Sequence, residues 1–138
     1  MENKLTQIQA FKVMLTFLDE YYDKTLSDDI GALLSGLALL EDDRPVDSAV
    51  WHDWAKAINN KNIENNLTSL QAFEAMINFL EDYCKRGSSH DVLILLDMLK
   101  KSLIKSAPNQ PIWNNWLKCV DKILQDKEKK YGYFHLLK

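Results

Sequence analysis

Glycine and proline are scarce, at four and three in 138 residues. So little turn punctuation cannot serve the many short strands of a sandwich or barrel, nor a doubly wound sheet; it favours helices. Cysteine is sparse too. Cys84 and Cys119 lack Cys-x-x-Cys spacing, which sets aside a redox or zinc motif. Both fall in helical patterns and are expected as free, mostly buried thiols, one disulfide being the arithmetic alternative. No long hydrophobic run occurs. The most apolar stretch, residues 30–40, includes Ser35 and two glycines and is too short to span a bilayer. The opening Met1-Glu2-Asn3-Lys4-Leu5-Thr6-Gln7 has no apolar signal region, so a cytoplasmic protein without membrane contact is expected.

Motifs that carry chemistry are missing as well. A nucleophile needs a base within hydrogen-bond reach, and a metal site needs clustered ligands. His52 stands beside Asp53, His90 opens a helix and His135 lies near the C-terminus, each far from the others in sequence. They read as surface or capping histidines. No Gly-rich phosphate loop, His-Glu-x-x-His or Gly-x-Ser-x-Gly is present. The expectation is a protein without enzymatic activity, catalytic residues, metal or cofactor.

What is present is ordinary globular material, 46% hydrophobic and 27% charged. A chain of this length buries roughly two-thirds of its surface, enough for a core without staples. That core is organised by a repeat. Sliding the sequence by 62 residues sets Leu5-Thr6-Gln7-Ile8-Gln9-Ala10-Phe11 on Leu67-Thr68-Ser69-Leu70-Gln71-Ala72-Phe73. The match continues through Met14/Met76, Phe17/Phe79, Tyr21/Tyr83 and Asp29/Asp91, and ends on Trp51-x-x-Trp54 against Trp113-x-x-Trp116. In 54 aligned positions there are 17 identities, which reads as a tandem duplication.

Each copy reads as three helices. Thr6 and Thr68, each with glutamine three residues on, form capping boxes for helix one. Ile8, Phe11, Leu15, Leu18 and Tyr22 keep the three-and-four spacing of a buried stripe. Ser27 and Ser89 start helix two, with Asp29 and Asp91 in its positive first turn. Helix three follows Pro45 or Pro108, capped by Asp47 or Asn109. Its four tryptophans are expected as core anchors. The fold class is therefore all-α, a duplicated three-helix unit forming one compact six-helix domain over residues 1–138. Copy one covers 5–60, a linker 59–66, copy two 67–125 and a C-terminal tail 126–138, apolar after Lys130.

Charge separates the copies. Residues 1–62 carry 11 acids and 6 bases, a net of −5, whereas residues 63–138 carry 9 acids and 11 bases, a net of +2. The acids of the first copy cluster as Asp19-Glu20 with Asp23, Asp28-Asp29, and Glu41-Asp42-Asp43 with Asp47. One reading is a solvated helix face with capping carboxylates, which accounts for Asp29 and Asp47. The other is a surface that attracts a basic protein and repels a nucleic-acid backbone.

Ser27-Asp28-Asp29-Ile30-Gly31-Ala32-Leu33-Leu34-Ser35-Gly36-Leu37 is followed by Pro45-x-Asp47-x-x-x-Trp51-x-Asp53-Trp54. With the upstream Gln9-Ala10-Phe11 and Phe17-Leu18-Asp19-Glu20-Tyr21-Tyr22, this resembles small bacterial immunity proteins of contact-dependent growth inhibition systems. The second copy departs from the pattern, with Leu93 for Gly31, Met98 for Gly36 and His90 for Asp28. The resemblance implies a partner, the C-terminal effector domain of a cognate toxin, often a nuclease, bound as a 1:1 complex. A basic, nucleic-acid-gripping cleft would be covered by Asp19, Glu20, Asp23, Asp28, Asp42 and Asp43, with Tyr22 as an aromatic anchor among them. The alternatives are a helical adaptor that takes a peptide between the copies, and a structural subunit that dimerises through its tail.

Overall fold

The computed structural model describes residues 4–59, 66–87, 89–105 and 111–125. Its elements run β1 (Leu5–Thr6), α1 (Gln7–Thr25), α2 (Asp28–Gly36), α3 (Ser48–Asn59), β2 (Asn66–Leu67), α4 (Ser69–Arg86), α5 (His90–Lys105) and α6 (Pro111–Gln125). The described chain is thus mostly helical. The linker from 60 to 65, Pro108, Asn109 and the tail lie outside the described residues.

Helix starts follow their side-chain chemistry. Thr6 and Thr68 accept from the backbone N–H of Gln9 and Gln71, whose side chains accept from the threonine N–H in return. Ser27 caps α2 by accepting from Ile30 N–H. Asp47 accepts from Ala49 N–H at the start of α3. Two caps reach across the molecule: Asp29 Oδ2 accepts from Asp91 N–H at 3.0 Å, and Ser27 Oγ donates to Asp91 Oδ2 at 2.6 Å. Asp29 therefore serves the N-terminus of α5 as well as sitting in the first turn of its own helix.

Two residues ahead of each long helix pair with each other. Leu5 lies opposite Leu67 and Thr6 opposite Asn66 in a two-stranded antiparallel ladder. Both leucines are fully buried. Asn66, read from sequence as linker, belongs to this ladder. A two-residue strand leaves no periodic signal, so nothing in the pattern announced it.

The helices interlock rather than stack as two separate units. The most extensive pairings are α1 with α6 and α3 with α4, so each third helix lies on the first helix of the other half. Trp54 and Trp116 make those junctions. Trp54 sits edge-on to Phe11, 5.5 Å between centroids, and to Phe79, 5.9 Å away. Trp116 does the same with Phe73 at 5.4 Å and Phe17 at 5.7 Å. Their indole N–H groups donate to Gln7 and Ser69 carbonyls at 3.1 and 2.9 Å, so neither ring carries an unmet donor into the core.

Two expectations need correction. Trp51 and Trp113 are half-buried and pack on the edge of the core, while Trp54 and Trp116 are fully buried. The i, i+3 spacing turns the first of each pair toward the helix flank. The cysteines are both free thiols, but only Cys119 is buried; Cys84 is intermediate.

Truncation of either central tryptophan, Trp54→Ala or Trp116→Ala, is expected to cost about 3–5 kcal/mol in urea denaturation. Trp54→Phe keeps an aromatic ring but removes one of two donors to the Gln7 carbonyl, which still accepts within α1, for a loss of about 0.5–1.5 kcal/mol from that bond. Trp51→Ala is expected to cost clearly less than Trp54→Ala.

Candidate functional site

The acidic residues fall on three neighbouring features, and helix geometry sorts them. Lys12, Asp19 and Asp23 follow spacings of seven and four residues, so they share one stripe of α1, about 16 Å long at 1.5 Å per residue. Glu20 and Tyr22 project to opposite flanks of that stripe. Glu20 turns toward α6, where Oε2 meets Lys122 Nζ at 2.5 Å and Oε1 receives the Cys119 thiol at 3.8 Å. Tyr22 turns toward α2, its Cε1 lying 3.1 Å from where a Cβ on Gly31 would stand. Gly31 thus lets the tyrosine ring approach the α2 backbone.

Asp42 and Asp43 cap a tight hairpin between α2 and α3. An isolated bridge joins Leu39 to Pro45, and Leu40 N–H donates to Arg44 O at 2.6 Å. Asp43 turns the chain with φ +69°, a left-handed conformation that aspartate tolerates better than most residues. Its carboxylate is held by Lys12 at 2.9 Å, which places the hairpin tip over the start of the acidic α1 stripe. Asp42 points outward and pairs with Arg44 at 2.6 Å. Desolvation pushes the Asp42 carboxyl up, but hydrogen bonds from the Arg44 backbone and side chain together outweigh it and hold it below the usual carboxylate range.

Asp19, Asp23 and Asp43 are therefore gathered along one face, Asp42 stands beside it on the hairpin, Asp28 opens α2, and Glu20 and Tyr22 are turned aside. Asp19 is half-buried with Oδ1 shut off from solvent. Asp23 and Asp28 are exposed and form no ion pair among the described residues. Between them lies a residue that pattern reading passed over. Leu26 is 69% exposed and has φ +54°, with its N–H closing α1 onto the Tyr22 carbonyl. Glycine or asparagine is the usual occupant of such a helix-ending position. A bulky apolar residue there costs on the order of 1 kcal/mol and exposes hydrocarbon to water. Its only sequence signal is that it breaks the apolar stripe just after α1.

A second concave feature lies nearby. A cleft of about 420 Å³ opens between α2, α3 and the end of α4. Leu33, Leu37, Val50 and Phe79 form its apolar floor, and Asp47, Tyr83 and an Asp53–Arg86 ion pair at 2.7 Å stand around it. Among the described residues no group of three or more His, Cys, Asp or Glu could hold a metal ion, and no helix is long and apolar enough to cross a membrane.

No protein-family model, curated protein or solved structure matches the chain.

The Glu20–Lys122–Cys119 contact sets an alkaline limit. Burial, then the Glu20 carboxylate, pushes the Cys119 thiol from its ordinary 9.0 up to about 12. The hydrogen bond to Glu20 raises Lys122 as well, against a smaller desolvation. The folded chain holds both protons more tightly than the unfolded chain. The associated stability is present below pH 9 for the thiol and below the ordinary lysine value for Lys122, and it declines as pH rises through the folded values. Urea midpoints are expected to fall from pH 9 upward, with Cys119→Ala flattening the part of that decline that begins at pH 9. A disulfide reagent at pH 8 should label Cys84 well before Cys119.

Proposed function

We propose that this chain is a non-catalytic binding protein of the immunity type, which neutralises a basic toxin domain by covering the cleft that grips nucleic acid. The observation that supports this most directly is the corner between α1 and α2. A strained, exposed Leu26 stands between the exposed carboxylates of Asp23 and Asp28. Folding alone would favour glycine or asparagine there. A contact surface, by contrast, uses an apolar anchor ringed by charge, because the anchor is desolvated on binding while the ring steers encounter and fixes register. The stripe of Asp19 and Asp23 with the Asp42–Asp43 hairpin extends the same negative surface along α1. Such a face repels phosphate backbones and attracts the lysines and arginines of a nuclease cleft.

The same reading holds that the chain is a duplicated three-helix unit in one compact domain. It acts in the cytoplasm as a monomer in a 1:1 complex, without a cofactor. Contacts that recur at the 62-residue offset support the duplication: the capping boxes, the Leu5–Leu67 pairing and the tryptophan junctions. Inhibition on this account is steric and electrostatic.

The test is calorimetric titration with the toxic C-terminal domain encoded immediately upstream, with nuclease activity followed in the same samples. Tight 1:1 binding, at nanomolar Kd or about −12 kcal/mol, with loss of activity is expected; absence of binding overturns the reading. The double reversal Asp23→Lys/Asp28→Lys should weaken binding on the order of tenfold at low ionic strength and flatten its salt dependence. Leu26→Asn separates function from folding, since it should leave stability unchanged or higher while weakening the complex. Equal affinity for all three forms at low and high salt would remove the acidic corner from the interface and favour a helical adaptor instead.

A further inference from the structure

The cleft between α2, α3 and α4 coincides with a difference between the two halves of the molecule. In the frame that repeats every 62 residues, Ala32 and Gly36 of α2 correspond to Ile94 and Met98 of α5. Ile94 and Met98 are large apolar side chains on the exposed side of α5, at 45% and 38% exposure. In the first half those positions carry almost no side chain, and a Cβ built on Gly36 meets no atom within 4 Å. The result is the open cleft of about 420 Å³, a size suited to a bound group, floored by side chains that are 9% exposed or less.

Charge around the opening is asymmetric. Arg86 is neutralised by Asp53 at 2.7 Å. Asp47 lines the cleft and is exposed, and Asp28 stands one turn before Ala32 on the same α2 stripe. An apolar floor beneath unbalanced carboxylates fits one kind of occupant: a hydrocarbon side chain on a cationic segment.

We propose that this cleft receives one large apolar side chain, leucine, methionine or phenylalanine, from the basic partner, with flanking lysines or arginines set against Asp28 and Asp47. This rests on the toxin-binding reading above and adds the anchor point to it. The cleft runs along α2 from Ala32 to Leu37, whereas Leu26 precedes the helix, so a partner that reaches both lies along α2.

The test transplants the second half's residues into the first. Gly36→Met and, separately, Ala32→Ile fill the cleft with the side chains that the frame already carries at 98 and 94. Ser35→Met adds the same bulk to an exposed neighbour that does not line the cleft. Melting curves establish that each variant folds, and titration with the upstream-encoded toxin domain reads affinity. Loss of roughly thirtyfold or more for the two cleft variants, with Ser35→Met unchanged, is the expected result. Unchanged affinity in the cleft variants overturns the anchor while wild-type binding upholds immunity. Equal losses in all three variants also overturn it, because the α2 surface rather than the cleft is then in contact. A wild-type chain that does not bind removes both readings together.

Discussion

Two indole N–H groups hold this structure in register. Each tryptophan donates to the carbonyl of the first residue of a long helix, Gln7 or Ser69, and lays its ring between a phenylalanine of its own half and one of the other. A ring so placed fixes three helices at once, because the hydrogen bond sets depth and the edge-on contacts set angle. Leucine could neither fill the space of an indole nor donate to the carbonyl. The crossed arrangement of α3 on α4 and α6 on α1 depends on these two side chains more than on any cap or ion pair.

Much of the fold was legible because helices advertise themselves. Capping boxes, the 3.6-residue stripe and the shortage of glycine and proline located α1, α2, α4 and the start of α3 within a residue or so. The ladder at Leu5 and Leu67 was not legible, being too short to show alternation. Nor was the exchange between Asp29 and Asp91, since a first-turn aspartate looks the same whether it serves its own helix or another. The acidic residues could be counted but not placed. Helix angle decides that Glu20 is spent on Lys122 while Asp23 faces water, and angle matters only once the neighbouring helix is known. Leu26 was missed for a different reason: a lone exposed leucine is unremarkable in sequence, and only its left-handed backbone makes it costly.

The polar contacts divide by what they are able to do. Lys12–Asp43 and Lys122–Glu20 tie the hairpin and α6 to α1, so those carboxylates serve architecture first. Asp23 and Asp28 carry no such duty among the described residues. The cleft likewise is made by subtraction, by alanine and glycine at positions where the same frame elsewhere supports isoleucine and methionine.

The crossing of the halves has a consequence for how the protein comes into being. A nascent chain that has emerged only through α3 has its first helix complete, yet the partner for that helix, α6, is the last of the described helices to be made. The N-terminal portion alone leaves the α1 surface bare, whereas α4 meets its partner α3 as soon as it emerges. The α1–α6 junction therefore closes only after Trp116 has left the ribosome. A truncated product is no fractional version of the whole; it is a ready target for proteases.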